Sequence, residues 1–245
     1  MAKTFKQAIV VGASSGIGAE IARQLAATGC RVGLVARREE ELHALNRSLA
    51  TPGKVFIHDV RQYDEVPALF QQICRELGGL DAVFYTAGIL PRQEPEEFDF
   101  ALDKLTVEVN VLGLMAWGHE AAQRFKTQGE GAIIAISSVA ADRGRRGMLS
   151  YAASKAATDS YMESLRNRVG RYGVRVVTIK PGPVDTPMIA GMPNMPFMIS
   201  AGVAAQRTIT AAQHGATTVY VPFIWRPIMG VIRLIPSFLF QKLNL

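Results

Sequence analysis

Tyr151 and Lys155 stand four residues apart in SYAASKAA (150–157), with only small residues between them. On a helix, positions i and i+4 share a face, so this spacing would hold a phenol beside an ammonium. A free phenol titrates near pH ~10 and is a poor base at neutrality. A neighbouring cation lowers that value and lets the phenol give or take a proton close to neutral pH. The chemistry to which the pair is suited is proton exchange with a carbonyl or hydroxyl oxygen. The same pattern also fits one more turn of a small-residue helix, so the decision lies with the elements around it.

Those elements are legible as near-continuous β-branched runs at 7–12, 31–36, 54–60, 81–88, 131–138, 174–182 and 217–222. Runs of that kind are expected of strands covered by helices on both faces of a parallel sheet. Helical patterns lie between them at 16–28, 39–49, 62–77, 101–127 and 151–172. The alternation predicts an α/β fold with a doubly wound, mostly parallel sheet of the Rossmann type. With no repeat and no low-complexity linker, the chain is expected to form a single domain.

The first strand runs directly into Gly12-Ala-Ser14-Ser15-Gly16-Ile17-Gly18 and then a helix. Strand, tight glycine turn and helix start together form a dinucleotide-binding context. Gly12 allows the turn, Gly16 lets the backbone approach a pyrophosphate, and Gly18 permits close helix–sheet packing. Free amides at the helix start face the phosphates, and the two serine hydroxyls add donors. The second strand ends at Ala36-Arg37-Arg38, where an NAD site usually places an acid. A guanidinium pairs with a 2′-phosphate that a carboxylate would repel, so the expected cofactor is NADP(H). The competing reading is a solvated arginine pair beside Glu39, Glu40 and Glu41.

The spacing Gly12-xxx-Gly16-Ile17-Gly18 resembles the TGxxxGIG opening of the short-chain dehydrogenase/reductase family, with Val11 in place of the threonine. Further motifs carry the resemblance to residue 187: YTAG (85–88) in place of NNAG, Asn110 in EVNVLG, Ser138 thirteen residues before Tyr151, and PGPVDTP (181–187). Tyr85 and Thr86 depart from the two asparagines, although Thr86 keeps a donor for a ribose. The resemblance implies that Asn110, Ser138, Tyr151 and Lys155 are catalytic. Tyr151 would exchange the proton, and Ser138 would hold the substrate oxygen. Lys155 would lower the phenol's pKa and grip the nicotinamide ribose. Asn110 would hold a water that relays protons to Lys155. It further implies adenine contacts from Asp59 and Val60, close backbone approach at Ala87 and Gly88, and nicotinamide contacts from Pro181, Gly182, Val184 and Thr186. Ser154 reads as small-residue packing.

After the PG motif, the family's chain forms a substrate lid, here 183–200, with Met188 and Met192 as candidate substrate contacts. Adaptable methionines suit a greasy pocket, and equally suit ordinary core packing. Arg143, Arg145 and Arg146 in ADRGRRG read as a solvated charge run or as contacts to an anionic substrate. Residues 1–222 would then be the dinucleotide-binding catalytic unit, and 223–245 an apolar extension of the same domain. In that extension, Pro227 and Pro236 are expected to separate short helices. The extension either lies in a bilayer interface with its cations at anionic headgroups, or packs over the cleft or against another subunit.

Bulk properties narrow the function further. The net charge of +6 comes with no basic run interleaved with aromatics, which argues against nucleic acid. The four histidines are scattered and the two cysteines lack ligand spacing, so no metal is expected. Two thiols fit a reducing compartment, and no leader-like or membrane-spanning run is present, so a cytoplasmic protein is expected, peripherally membrane-associated if the tail binds lipid. Family resemblance also implies a homodimer or homotetramer built on the helices at 101–127 and 151–172. The expected function is an NADP-dependent oxidoreductase moving a hydride between nicotinamide and a ketone or secondary alcohol, of apolar or lipid-like character. A 3-oxoacyl thioester or a steroid-like ketone is the alternative substrate. A non-catalytic NADP-binding regulator and a peripheral membrane scaffold are the rival classes.

Overall fold

A computed structural model describes residues 3–243, apart from 93, 95, 193 and 194. The chain begins with β1 (Gln7–Val11), α1 (Gly16–Ala27), β2 (Arg31–Ala36), α2 (Glu39–Ser48), β3 (Lys54–Ile57), α3 (Val66–Leu77) and β4 (Ala82–Tyr85). It continues with α4 (Phe100–Val107), α5 (Gly113–Gln128), β5 (Gly131–Ile136), α6 (Leu149–Val169) and β6 (Val174–Pro181). Last come β7 (Val184–Asp185), β8 (Ile199–Ser200), α7 (Ala201–His214), β9 (Thr218–Val221), α8 (Trp225–Leu234) and α9 (Ser237–Phe240).

Seven strands form one sheet in the order β3-β2-β1-β4-β5-β6-β9, and every pair in it is parallel. Alternate residues of each strand serve opposite layers. Ala8, Val10 and Leu34 join α1, α2 and α7 on one face, whereas Ile9, Val11 and Val35 join α3, α5 and α6 on the other. Cys30 lies in the first layer and Cys74 in the second; both are buried free thiols. The order in which strands are added reverses between β1 and β4. In a doubly wound sheet, the crevice outside the strands' carboxyl ends at that point is where ligands bind.

Three features depart from the sequence-based expectation. Strand β3 stops at Ile57, so Asp59 and Val60 lie in the turn beyond it. There Asp59 accepts a backbone hydrogen bond from Arg61 at 3.0 Å. The expected continuous helix over 101–127 is interrupted by a π-turn, Glu108–Leu112. The cause is visible across the interface with β4. The Tyr85 hydroxyl donates to the Val109 carbonyl at 2.6 Å, and it occupies the space a side chain at Gly113 would need. Helix α7, unforeseen in the sequence, forms the crossover from β6 to β9. Its start is capped by Ser200, whose hydroxyl accepts from Val203 N at 3.3 Å.

The tail folds back onto the domain. Pro227 sits inside the first turn of α8, where backbone N–H groups have no helical partner to lose, and so only Pro236 separates helices. Trp225 and Met229 are buried against Val139, which follows β5. No helix among the described residues is long and apolar enough to cross a membrane.

Candidate active site

A cleft of about 630 Å³ runs across the carboxyl ends of the strands. A cleft of this size is in the range of small-molecule sites. Gly12, Ser14, Ser15, Gly16, Ile17 and Gly18 line one end together with Arg37, Arg38 and Val60. The middle is lined by Ala87, Gly88, Ser138, Tyr151, Lys155, Pro181 and Gly182, and the far end by Val184, Thr186, Met188 and Met192. Of the expected catalytic and cofactor positions and the substrate candidates Met188 and Met192, Asp59 and Asn110 do not line it; of the three arginines at 143, 145 and 146, Arg145 does. Asp59 instead pairs with Arg61 at 2.6 Å. That hydrogen bond, ahead of the residue's partial burial, holds its carboxyl below the usual carboxylate range.

The glycine turn is a cradle closed to side chains. Gly12 adopts φ +90°, and a Cβ there would come 2.5 Å from Ala87 N. A Cβ at Gly18 would collide with the Gly12 carbonyl and the Thr86 hydroxyl. Arg38 crosses this turn, donating to the Ser14 hydroxyl at 2.7 Å and the Ser15 hydroxyl at 2.6 Å. Its guanidinium therefore lies where the turn's free amides face the cleft. Arg37 is 3.9 Å from Asp59. Arg38 also lies 3.5 Å from Glu41. The glycine cradle, its free amides and the guanidinium fit the phosphates of a nicotinamide dinucleotide, which they would hold. Thr86 does not offer its hydroxyl to a ribose, because it donates to the Val11 carbonyl at 2.7 Å.

In the middle of the cleft, Tyr151 and Lys155 share the cleft-facing side of α6, with Lys155 Nζ 5.7 Å from the Tyr151 ring centre. The ammonium donates to the Ile136 carbonyl at 2.8 Å, which anchors it to the end of β5. Burial pulls Lys155 down to about 8, against the opposing field of Asp159. The expectation that Lys155 depresses the Tyr151 pKa is not met by the protein's own groups: burial pushes the phenol up, and only the Ser138 hydroxyl opposes it. Ser138 is buried and caps the short turn Val139–Asp142, its hydroxyl accepting from Ala140 N at 3.1 Å. Its remaining hydrogen-bonding capacity lies beside the phenol.

Asn110 stands behind Gly88 on the π-turn. Its amide oxygen accepts from Ile89 N at 2.8 Å, and its nitrogen donates to the Ile89 carbonyl and the Ser154 hydroxyl, each at 3.0 Å. Ser154 in turn donates to the Tyr151 carbonyl at 2.8 Å. Ser154 is therefore not mere packing. It couples Asn110 to the helix that carries the phenol, a role its small size concealed.

The far end of the cleft is greasy. Phe197 stacks edge-on against Trp225 at 6.0 Å, and Ile228, Ile232 and Phe240 from the tail add to the wall. The Trp225 ring occupies the space that a side chain at Gly182 would fill. The arginine run does not behave as a solvated charge run. Arg143 donates to the Arg233 carbonyl at 3.1 Å and lies 4.4 Å over the Phe240 ring, and Arg146 donates to the Gln241 carbonyl at 3.4 Å. Arg145 reaches Met229 Sδ at 3.8 Å. Among the described residues, no group of acidic, histidine or cysteine side chains could hold a metal ion.

A parallel sheet with a glycine cradle at its switch point, facing a phenol–ammonium pair, is the architecture of a nicotinamide-dependent oxidoreductase. Comparison with known proteins agrees. The model of the short chain dehydrogenase family matches residues 6–195. An uncharacterized oxidoreductase of Mycobacterium tuberculosis is 30% identical, over 98% of this chain and 97% of its own length. The cis-4-hydroxycyclohexanecarboxylate dehydrogenase of Sinomonas cyclohexanicum is 34% identical, over 76% of each chain. Among solved structures, a short chain dehydrogenase/reductase family protein superposes with a TM-score of 0.82 at 27% identity, covering 90% of this chain and 97% of that one. Levodione reductase superposes with 0.81 at 25% identity, covering 88% and 95%. The chain belongs to the short-chain dehydrogenase/reductase family.

Proposed function

We propose that the protein is an NADP(H)-dependent carbonyl reductase or alcohol dehydrogenase acting on an apolar or lipid-like ketone. The observation that carries this reading is the convergence of Ser138, Tyr151 and Lys155 in one cleft, between the Arg38-crossed glycine turn and an apolar wall. The glycine turn of residues 12–18 and Arg38 would hold the dinucleotide, which when bound would supply a hydride to the carbonyl carbon. The Tyr151 phenol then gives its proton to the carbonyl oxygen, and it takes that proton back when an alcohol is oxidised. Ser138 holds the same oxygen as negative charge develops on it. Lys155, cationic below about pH 8, stabilises the phenolate that is left. Asn110 and Ser154 hold the helix carrying the phenol in place.

Substrate character is read from Met188, Phe197, Trp225, Ile228 and Ile232, which present hydrocarbon and sulfur to the far end of the cleft. The dehydrogenase relative named for a hydroxy-substituted cyclohexane supports secondary-alcohol chemistry on this fold. Replacing Tyr151 by Phe is expected to lower ketone-dependent NADPH oxidation by about 10²–10⁴-fold while NADPH still quenches the protein's fluorescence. Unchanged turnover would remove Tyr151 from the chemistry. NADPH binding without oxidation by any member of a ketone panel would favour a regulator.

A peripheral membrane contact is a second element of the reading, supported by the outer face of the tail. Phe223, Val231, Leu234 and Phe238 are 67%, 65%, 83% and 61% exposed. The sixty residues after Asp185 contain no Asp or Glu, so no acid opposes Arg226, Arg233 and Lys242 at an anionic surface.

A further inference from the structure

A buried ionic cluster lies directly behind the candidate site and takes no part in the chemistry described so far. Lys180 Nζ donates to Asp142 Oδ1 and to Asp159 Oδ2, each at 2.5 Å. The Lys180 and Asp142 side chains are 5% and 4% exposed. The Tyr220 hydroxyl donates to the other oxygen of Asp142 at 2.9 Å, and its ring lies 5.3 Å from the ammonium. One ammonium thus serves two carboxylates, of which Asp159 is 26% exposed and is held above the usual carboxylate range by its burial, against the pull of Lys180. Clusters of this kind contribute little net stability, because desolvation offsets most of the attraction. What they fix is geometry.

The positions of the members matter. Asp142 closes the turn that Ser138 opens. Asp159 is one helical turn beyond Lys155 on α6. Lys180 directly precedes Pro181 and Gly182, and in the sheet it stands in register with Tyr220. The segments bearing the serine, the phenol–ammonium pair and the Pro181–Gly182 loop therefore meet at a single nitrogen. Beside it, the Ser137 hydroxyl donates to the Lys155 carbonyl at 3.3 Å, tying the same helix to β5.

We propose that Lys180, Asp142 and Asp159 form a positioning cluster that sets the place and the charge state of Lys155. The inference rests on the reading that Lys155 serves proton exchange, but it concerns residues outside that assignment. The charged and titratable groups around the pair are Tyr151 on α6, Asp142 after β5, Lys180 on β6 and Tyr220 on β9. The π-turn contributes the neutral Asn110. Burial pushes Lys155 down and Asp159 alone pulls it back up. Lys180 is itself held upward by its two carboxylates against burial. Removing the Asp159 charge therefore makes Lys155 lose its proton at lower pH. Removing the Lys180 charge leaves two unneutralised carboxylates and makes Lys155 keep its proton to higher pH.

The test is a pH titration of the full chain carrying ¹³C-labelled lysine, following the ε-carbon shift of Lys155. Its resonance is assigned by its disappearance in Lys155→Arg. Asp159→Asn, which keeps the shape and the Lys180–Asp142 pair, is expected to lower the Lys155 midpoint by roughly one pH unit. Lys180→Met is expected to raise it, and Lys180→Arg to restore it. Should Lys180→Met fail to fold, Asp159→Asn still decides. A Lys155 midpoint that stays put in Asp159→Asn overturns the cluster's role. The titration needs no substrate, so its failure is separate from failure of the catalytic reading, which turnover by Tyr151→Phe would reveal.

Discussion

At the scale of single residues, Arg38 is the side chain on which the proposed NADP preference rests. Its guanidinium donates to two serine hydroxyls of the glycine turn and stands 3.5 Å from the exposed Glu41 carboxylate, a solvated pairing that a phosphate would compete with. Charge-assisted hydrogen bonds of this kind contribute about 1.5–3 kcal/mol. Arg38→Ala is therefore expected to weaken NADPH binding by about 10–100-fold and to leave NADH binding nearly unchanged, as read by fluorescence titration of both. Equal losses for the two cofactors would show that Arg38 only braces the turn. The glycines, Arg38 and the Tyr151–Lys155 pair were all legible in the sequence, because each is a residue type whose chemistry is rarely interchangeable. Lys180 was not. A lysine in a strand reads as a solvated side chain until its two carboxylates, 38 and 21 residues away, are brought to it.

At the scale of elements, the strands were legible because both faces of the sheet are covered and apolar runs are unbroken. Helix α7 was hidden for the converse reason. It buries Ala204, Ala205, Thr208, Ala211 and Ala212, small residues that give a weak hydropathy period but pack closely. The π-turn was hidden because a single extra residue in a helix leaves no mark in composition; its partner, the Tyr85 hydroxyl, is 24 residues away. The link between the arginine run and the tail was also invisible, since both ends of it read as surface. It has a measurable consequence. Replacing Arg143 and Arg146 together by Ala removes two hydrogen bonds to tail carbonyls and a stacking contact. Limited trypsinolysis is expected to cut after Arg233 several-fold faster in the double variant, while near-ultraviolet dichroism of the domain is retained. Equal cutting rates would mean that the Trp225–Met229 cluster alone holds the tail.

At the scale of the whole molecule, the tail has two faces with different tasks. Ile228 and Ile232 close the cleft, whereas Val231 and Leu234 look outward. If the outer face rests on lipid, full-length protein is expected to co-sediment with vesicles containing anionic phospholipid and to be released by salt, and Leu234→Glu is expected to abolish sedimentation. Persistent sedimentation in that variant would exclude this face as the contact. A particle mass of two or four chains, lost in the same variant, would instead assign the face to another copy. The sheet itself divides the molecule into two layers, each containing one thiol. Burial pushes Cys30 up to about 12 and raises Cys74 as well, so neither forms an appreciable thiolate at neutral pH. An alkylating reagent reaches either sulfur only when its layer opens. Mass spectrometry of singly and doubly modified chains in dilute denaturant then acts as a two-channel clock. Coincident labelling would mean that the layers part together, and early labelling at one site would identify which side of the molecule gives way first.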